Sequence, residues 1–276
     1  IRLKATFPPT YSSRQAKIFP KDLPPMKIFL LSVVLLAACA AGAQTFSNID
    51  DSTAVDDGAA GAVGWGSCVT CAGAGSNATI ASSPFQTTPS VTGASRDFDI
   101  NGAAYTDALW WYKVGPHDKD THFQFDFDLW VAANTSAAQA LEFDMFQFAS
   151  GREYMFGTQC NYAAGVWDVW NQKALKWVAT RTACTKFKAN TRYHLTFNFH
   201  RDSSGNEHYE SLKIVQYSQY GNGRPSSNTY SWNLSYPSGP MPAGWTDNLG
   251  VQFQMDIGAA GAEMQEWVDE VTLTAY

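Results

Sequence analysis

The stretch Gln139–Phe148, QALEFDMFQF, alternates apolar and polar side chains along its length. Its odd-numbered residues from Leu141 to Met145 are apolar, whereas Glu142 and Asp144 between them are acidic. A period of two residues is typical of a β-strand with one buried face. The stretch therefore predicts a strand whose apolar face enters a core and whose other face presents two carboxylates.

These two acids are the first functional lead in the sequence. Carboxylates two residues apart on a strand lie on the same face, about 6–7 Å from each other. Like charges on an open sheet face repel each other unless a cation, a proton or a polar ligand lies there. Glu142 and Asp144 are therefore candidate catalytic or ligand-binding residues.

The charge of the chain excludes two classes of partner. The 276 residues include 19 basic and 25 acidic side chains, which gives a formal net charge of −6. Residues 1–43 hold six of the basic and one of the acidic residues, so the remainder has 13 and 24 and a net charge of −11. A chain this acidic has no electrostatic footprint for nucleic acid or anionic lipid.

A signal peptide is predicted over residues 26–43. Lys27 precedes the short apolar run Ile28–Leu36, which is too short to span a bilayer but suits a signal peptide. The small residues at 41–43 form a cleavage pattern that predicts a mature start at Gln44. Residues 1–25 take no part in such a signal and are predicted to lie upstream of the fold.

The same segment allows a second interpretation. The four residues from Leu36 to Cys39 resemble a bacterial lipobox, in which Cys39 would be lipidated and would become the first mature residue. In the first interpretation, Cys39 is removed with the signal peptide. Both interpretations predict export, and the second adds a membrane attachment through a lipid anchor at Cys39.

The cysteines beyond the leader predict structural disulfides. An even number of cysteines in an exported chain favours bridges. A redox-active cysteine pair would need a following helix, which the sequence does not offer. A zinc site would need a second pair of cysteines close in sequence, which is also missing. The spacing allows one local bridge and one longer bridge. The four predicted disulfide cysteines are Cys68, Cys71, Cys160 and Cys184.

Alternating stretches rich in aromatic residues continue from residue 96 to the end of the sequence. Aromatic residues make up 14% of the chain and charged residues 16%, which favours β structure over helix. About a dozen such stretches, separated by turn residues, predict an all-β, two-sheet antiparallel sandwich over 96–276. Residues 44–95 are rich in Gly, Ser and Ala and are expected to form a loose segment that is pinned by a disulfide loop and one edge strand.

A short connection separates the strand at 121–131 from the strand at 139–148, which predicts a hairpin. In that hairpin, Asp126 and Asp128 would lie beside Glu142 and Asp144. An unpaired cluster of four acids would attract a cation or a polar ligand.

These features resemble the concanavalin A-like lectin/glucanase superfamily. The resemblance rests on the EFD strand at 142–144, the many aromatic strands, and Trp267–Leu273, which is similar to the closing strand of laminin-G-like jelly rolls. It covers 96–276 and implies a jelly roll. The chain is also similar to a group of exported bacterial proteins that share its GWxSCxxC loop and its LEFD, FGTQC, VWDVW and FQMD segments, and this second resemblance implies no activity.

The resemblance implies a glucanase motif with one member replaced. In glucanases of the superfamily, a Glu-x-Asp-x-x-Glu motif supplies the nucleophile, a helper aspartate and the acid/base. Glu142 and Asp144 match the first two positions, and Gln147 occupies the third. An amide cannot supply the proton transfer that two-carboxylate hydrolysis requires, and losing a general acid reduces the rate about 10²–10⁴-fold. The resemblance therefore implies binding without catalysis.

The resemblance also implies a possible metal site. In legume-type lectins, a Glu-Phe-Asp-x-Phe strand supplies metal ligands, and residues 142–146 match it. The further ligands that such lectins place downstream are missing here. Calcium is therefore the candidate cofactor only if Asp126 or Asp128 joins Glu142 and Asp144.

The ten tryptophans add aromatic surfaces of the kind on which pyranose rings stack. Trp167 and Trp170 point to opposite faces of one strand, and Trp170 shares its side with Asp168. Trp170 is therefore assigned to the binding face. The predicted ligand-binding residues are Glu142, Asp144, Gln147, Trp170, Gln252, Gln254 and Asp256.

Together these observations predict an exported, lectin-like protein whose partner is a polysaccharide or another glycan, and which lacks catalytic activity. The first alternative is a glycoside hydrolase or polysaccharide lyase with a rearranged general acid. The second alternative is a surface module that binds another protein and uses the jelly roll only as a scaffold.

Overall fold

The computed structural model describes residues 42–69, 78–218 and 224–276. The predictions for residues 1–41, including the signal peptide, the lipobox and Cys39, lie outside the described residues. In the described part of the chain, no helix is long and apolar enough to cross a membrane.

Seventeen strands and one 3₁₀ turn, Ala133–Ala137, make up the regular structure of the described residues. The strands in chain order are β1 Gln44–Phe46, β2 Gly64–Cys68, β3 Thr79–Gln86, β4 Ser95–Gly102, β5 Asp107–Gly115, β6 His122–Val131, β7 Ala138–Ala149, β8 Arg152–Phe156, β9 Thr158–Asn161, β10 Val166–Asn171, β11 Lys176–Ala183, β12 Tyr193–Arg201, β13 Asn206–Gln216, β14 Ser226–Pro237, β15 Gly239–Pro240, β16 Asn248–Ile257 and β17 Ala262–Ala275.

The strands form two antiparallel sheets. The eight-stranded sheet has the order β14-β13-β12-β6-β17-β4-β3, with β1 also paired to β17. The nine-stranded sheet has the order β11-β10-β9-β7-β16-β5-β2, with β8 paired to both β7 and β15. Strands that are distant in sequence lie next to each other, as in a jelly roll. The predicted two-sheet antiparallel sandwich is confirmed.

Phenylalanines from both sheets meet in the core. Phe127 of the eight-stranded sheet lies 5.2 Å from Phe143 and 5.2 Å from Phe253, both of the nine-stranded sheet, measured between ring centroids. All three side chains are fully buried. Burying a phenylalanine contributes about 1.5–3 kcal/mol. The apolar side chains of these alternating strands therefore form the core.

The N-terminal segment 44–95 contributes more than the loose coil with one edge strand that its composition predicts. It supplies three strands, of which β1 and β3 join the eight-stranded sheet and β2 joins the nine-stranded sheet. Trp65 and Ile49 are buried in the common core. The expectation was wrong because short strands rich in Gly, Ser and Ala carry almost no periodic apolar signal.

The predicted hairpin between residues 121–131 and 139–148 is also wrong. β6 pairs with β12 and β17 in one sheet, whereas β7 pairs with β8, β9 and β16 in the other. The link at 132–137, which contains the 3₁₀ turn, crosses from one sheet to the other. A connection of this length suits a hairpin, but here the burial of both apolar faces in one core decides the arrangement.

One of the two predicted disulfides is confirmed. Cys160 on β9 and Cys184 after β11 are bonded, with their Cα atoms 5.5 Å apart. The bridge ties β11 to the centre of the nine-stranded sheet. Cys71 lies outside the described residues, and so does the predicted local pairing of Cys68 with it.

An unpartnered acid in the core predicts how stability depends on pH. Glu266 on β17 is fully buried, and neither of its carboxyl oxygens has a hydrogen-bond partner. Burial raises the pKa of Glu266 from 4.5 to about 8. Between these values the folded state keeps a proton that the unfolded state releases, so the free energy of unfolding falls as pH rises. The free energy of unfolding falls by at most about 1.4 kcal/mol per pH unit from this source, and the fall stops above about pH 8.

Glu266→Gln should therefore remove this contribution to the fall of the free energy of unfolding with pH. Urea unfolding between pH 5 and pH 8 is the measurement. Glu263→Gln, on the exposed side of the same strand, is the matched control and should follow the wild-type curve. Parallel curves for the Glu266→Gln variant and the wild type would contradict the assignment of a protonated Glu266.

Candidate functional site

Strand β7 has one face in the core and one face on the outside of the nine-stranded sheet. Leu141, Phe143 and Met145 are fully buried in the core, as predicted. Glu142 and Asp144 point to the outer face. The register with β16 places Gln254 opposite Glu142 and Gln252 opposite Asp144. The structure thus brings these four predicted residues together on one surface.

Gln147 does not belong to this surface, and its predicted place in the site is wrong. Its amide nitrogen donates hydrogen bonds to the carbonyl oxygens of His117 and Asp120, at 2.6 Å and 3.0 Å, and its side chain is fully buried. Residues 142 and 147 are five apart, so a regular strand points them to opposite faces unless a bulge intervenes. The pairing of β7 with β16 has no register shift between Ala140 and Phe148.

The glucanase comparison therefore fails at its third position for a geometric reason. Gln147 does not stand where an acid/base would stand, so its amide is no evidence for or against catalysis. Its function in this structure is to anchor the β5–β6 connection through two backbone carbonyls.

The predicted cluster of four acids, and with it the proposed calcium ligands, is also wrong. Asp126 and Asp128 lie on β6 in the opposite sheet and have their own counter-charges. Arg192 donates two hydrogen bonds to Asp128, at 2.9 Å and 2.8 Å, and His194 lies 3.6 Å from Asp126. Across the described ranges, no group of three or more His, Cys, Asp or Glu residues is arranged to hold a metal ion.

A different acid cluster surrounds Glu142. Asp256 on β16 is hydrogen-bonded to Glu142, and Asp107 on β5 pairs in register with Asp256. Burial, followed by the charges of Asp256 and Asp144, raises the pKa of Glu142 well above its ordinary value. A protonated Glu142 can then donate to Asp256. Burial and the charge of Asp256 raise the pKa of Asp107 to about 7.

Asp144 lies beside this cluster with two donors of its own. Its carboxylate accepts hydrogen bonds from the Thr158 amide at 2.8 Å and from the Gln252 side chain at 2.7 Å. Burial raises the pKa of Asp144 to about 7, although both hydrogen bonds act in the opposite direction. Of these acids, Glu142 and Asp144 line the site and form its acidic floor.

A cavity of about 880 Å³ opens above this floor. We call it the cleft. Its walls come from the sheet, from the loop at 56–60 and from the turn at 244–246. The predicted residues that line it are Glu142, Asp144, Trp170, Gln252 and Gln254. Asp256 does not line the cleft, but it is hydrogen-bonded to Glu142 and to Gln254, which do.

Four tryptophans line the cleft, and the sequence predicts only one of them, Trp170. Trp170 packs edge-to-face on Trp177 at 5.2 Å, while Trp167 is buried in the core on the other side of β10. Trp111 on β5 lies across Gly66, where any Cβ atom would overlap its ring. Alternation along β5, in which Trp110 is buried, could have indicated Trp111.

Trp245 is the most exposed of these rings, with 52% of its surface accessible. It follows Gly244, whose φ of 89° lies in the left-handed region that glycine adopts without strain. The ring stacks at a tilt on Phe148, at 4.7 Å between centroids. No periodic pattern marks this loop, so the sequence carried no signal for Trp245.

Asp56 fixes the loop at 56–60 to the sheet. Its carboxylate accepts hydrogen bonds from the Trp111 indole at 2.8 Å and the Gly58 amide at 3.0 Å, and it forms an ion pair with Lys113 at 2.7 Å. Burial raises the pKa of Asp56, but the hydrogen bonds from Lys113 and Trp111 outweigh it, and the pKa lies below its usual value. Lys113 also lies 5.8 Å from the centroid of Trp245.

No protein-family model matches the chain, and no curated protein sequence matches it. Among solved structures, the chain is similar to arcelin-5, a lectin-like defense protein from Phaseolus vulgaris, at 11% identity and a TM-score of 0.44. That match covers 85% of this chain and 98% of the other.

Two further solved structures show the same level of similarity. The lectin from Bauhinia forficata in complex with GalNAc has 9% identity and a TM-score of 0.38, over 85% of this chain and 98% of its own. The third is the family 11 carbohydrate-binding module from Clostridium thermocellum, in complex with a β-1,3-1,4-mixed-linked tetrasaccharide. It has 10% identity and a TM-score of 0.35, and the match covers 83% of this chain and 94% of the module. Similarities this distant carry no argument about function, which has to rest on the cleft itself.

The position of Gln147 yields a direct prediction. Gln147→Glu would replace a donor to two carbonyl oxygens with a buried carboxyl, so we expect it to destabilise the fold by about 2–5 kcal/mol. Gln139→Glu, on the exposed start of the same strand, should change stability by no more than about 0.5 kcal/mol. Urea unfolding of both variants is the measurement. Equal stability of the two variants, or polysaccharide hydrolysis gained by Gln147→Glu, would contradict this placement.

Proposed function

We propose that the cleft binds a carbohydrate chain and that the protein is an exported, lectin-like glycan-binding protein. The observation that carries this proposal is the set of indole rings Trp111, Trp170 and Trp245 around a floor of buried amides and carboxyls. A sugar ring offers a flat face of C–H groups, which packs on an aromatic ring, and hydroxyl groups, which both donate and accept hydrogen bonds.

The floor of the cleft suits those hydroxyl groups. Gln252 and Gln254 each offer an amide beside a carboxyl group, and Asn248 lies at the other end of the same strand. Pockets with apolar walls and a few placed polar groups fix the orientation of a ligand. The volume of about 880 Å³ gives room for a short oligosaccharide segment.

Export is part of the proposal. The disulfide between Cys160 and Cys184 supports it, because such bridges persist mainly in oxidising compartments. The free and the lipid-anchored forms remain alternatives. Palmitate labelling that is lost in Cys39→Ala would establish the anchor, whereas an unlabelled protein that begins at Gln44 would exclude it.

One observation favours a second candidate, a glycoside hydrolase. The hydrogen-bonded pair of Glu142 and Asp256 holds a proton close to Asp144, and a hydrolase of this class needs one protonated and one charged carboxyl group. This pair would provide the rearranged general acid. Binding remains the leading proposal because Asp256 does not line the cleft and Glu142 is only 5% exposed.

The test is a polysaccharide array with the purified protein, combined with affinity measurements on two variants. Trp245→Ala and Trp111→Ala should each weaken binding of the best glycan about fivefold to tenfold, because a stacked ring contributes about 1–1.5 kcal/mol. Tyr105→Ala is the matched control, since Tyr105 is 55% exposed and does not line the cleft. It should bind like the wild type.

Three results would change the conclusion. Binding to no glycan would refute the proposal and favour the protein-interaction alternative. An equal loss of affinity in the Tyr105→Ala control would show that the glycan does not bind in the cleft. Release of reducing ends from a polysaccharide, abolished by Glu142→Gln, would establish the hydrolase instead.

A further inference from the structure

Charge is distributed unevenly among the residues that line the cleft. Four acids, Asp56, Glu142, Asp144 and Glu153, face a single cation, Lys113, in the part of the cleft that the structure describes. An anionic ligand that enters therefore meets several carboxyl groups and one paired cation. A sugar hydroxyl can donate to these oxygens, but a carboxylate or a sulfate cannot.

The single cation is not free to bind an anion. The ammonium group of Lys113 lies 2.7 Å from Asp56, and the two side chains are 16% and 4% exposed. Asp56 also accepts hydrogen bonds from Trp111 and from the Gly58 amide, so it is held in place from three sides. A ligand anion that approaches Lys113 therefore meets the Asp56 carboxylate beside it, which cancels most of the attraction of the ammonium charge.

We infer that the cleft selects glycans by charge: it accepts neutral sugar chains and rejects chains that carry uronate or sulfate groups, with Asp56 cancelling the one cation that could bind them. The inference rests on the proposed glycan-binding function and specifies its ligand class. Rejection of like charge is a recognised way to obtain specificity, and in a cleft that opens to solvent dissolved salt screens it.

The experiment compares matched polymers that differ only in charge. The probes are hydroxyethyl cellulose, laminarin and galactomannan, each beside its carboxymethylated form, bound to the full-length protein at about 0.02 M and about 0.5 M salt. For any backbone that binds, the acidic form should bind at least about tenfold more weakly at low salt, and the difference should shrink at high salt.

Asp56→Asn provides the sharper test. It removes the charge that neutralises Lys113 and keeps a side-chain oxygen that can accept from the Trp111 indole. In this variant, the affinity for the acidic polymer divided by the affinity for the neutral polymer should rise severalfold. Asp57→Asn makes the same change in net charge on an exposed neighbour that does not line the cleft, and its ratio should match that of the wild type.

The possible failures are distinguishable. If an acidic polymer binds as well as its neutral form in the wild type, the charge selection is wrong and glycan binding stands. If Asp56→Asn leaves the ratio unchanged, Asp56 does not have the assigned role in selection. If no polymer of either kind binds, the proposed function fails and this inference fails with it.

Discussion

The two-residue period of β7 is the constraint on which the rest of the structure depends. Leu141, Phe143 and Met145 enter a core that also holds Phe253 of the neighbouring strand and Phe127 of the opposite sheet, so they must be apolar. A shift of one residue would turn Glu142 and Asp144 into that core and would expose Phe143. Because burial of an unpaired charge is so unfavourable, the register is fixed, and the acids are fixed on the outer face.

The cleft holds acids at a cost in stability, which is expected where function and folding compete. Glu142, Asp144 and Asp256 all have pKa values raised by burial, so the folded state binds protons that the unfolded chain would release near neutral pH. Gln252 and Gln254 offset part of this penalty by donating to Asp144 and Asp256. Apolar residues on this face would be more stable, and they would give a sugar no polar partner.

How far the sequence predicted the structure depends on whether each signal is local. Alternation is local, and it correctly placed Phe143 in the core and Glu142 with Gln254 on one face. Strand pairing is not local, so a short link suggested a hairpin where β6 and β7 in fact belong to different sheets. The error at Gln147 arose because the glucanase motif was matched to the sequence without regard to the two-residue period of the strand. The same alternation that places Glu142 on the outer face puts residue 147 on the opposite face.

Two of the missed residues lie where no period exists. Trp245 lies in an irregular turn, and Asp56 lies in a Gly- and Ala-rich loop, so neither could be assigned to the cleft without the folded arrangement. Asp107 begins a strand whose partner, β16, is more than 130 residues away. Sites assembled from such distant segments become visible only when the sheets are in place.

The central claim is that a sugar chain lies against the indole rings of the cleft. Each of the ten tryptophans has one indole N–H group, and these groups can be followed individually by NMR during addition of the best-binding oligosaccharide. The account predicts that the signals of Trp111, Trp170 and Trp245 shift on saturation, while those of the buried Trp167 and Trp232, which lie in the core, stay in place. Saturable binding that leaves all three cleft signals unmoved would contradict it.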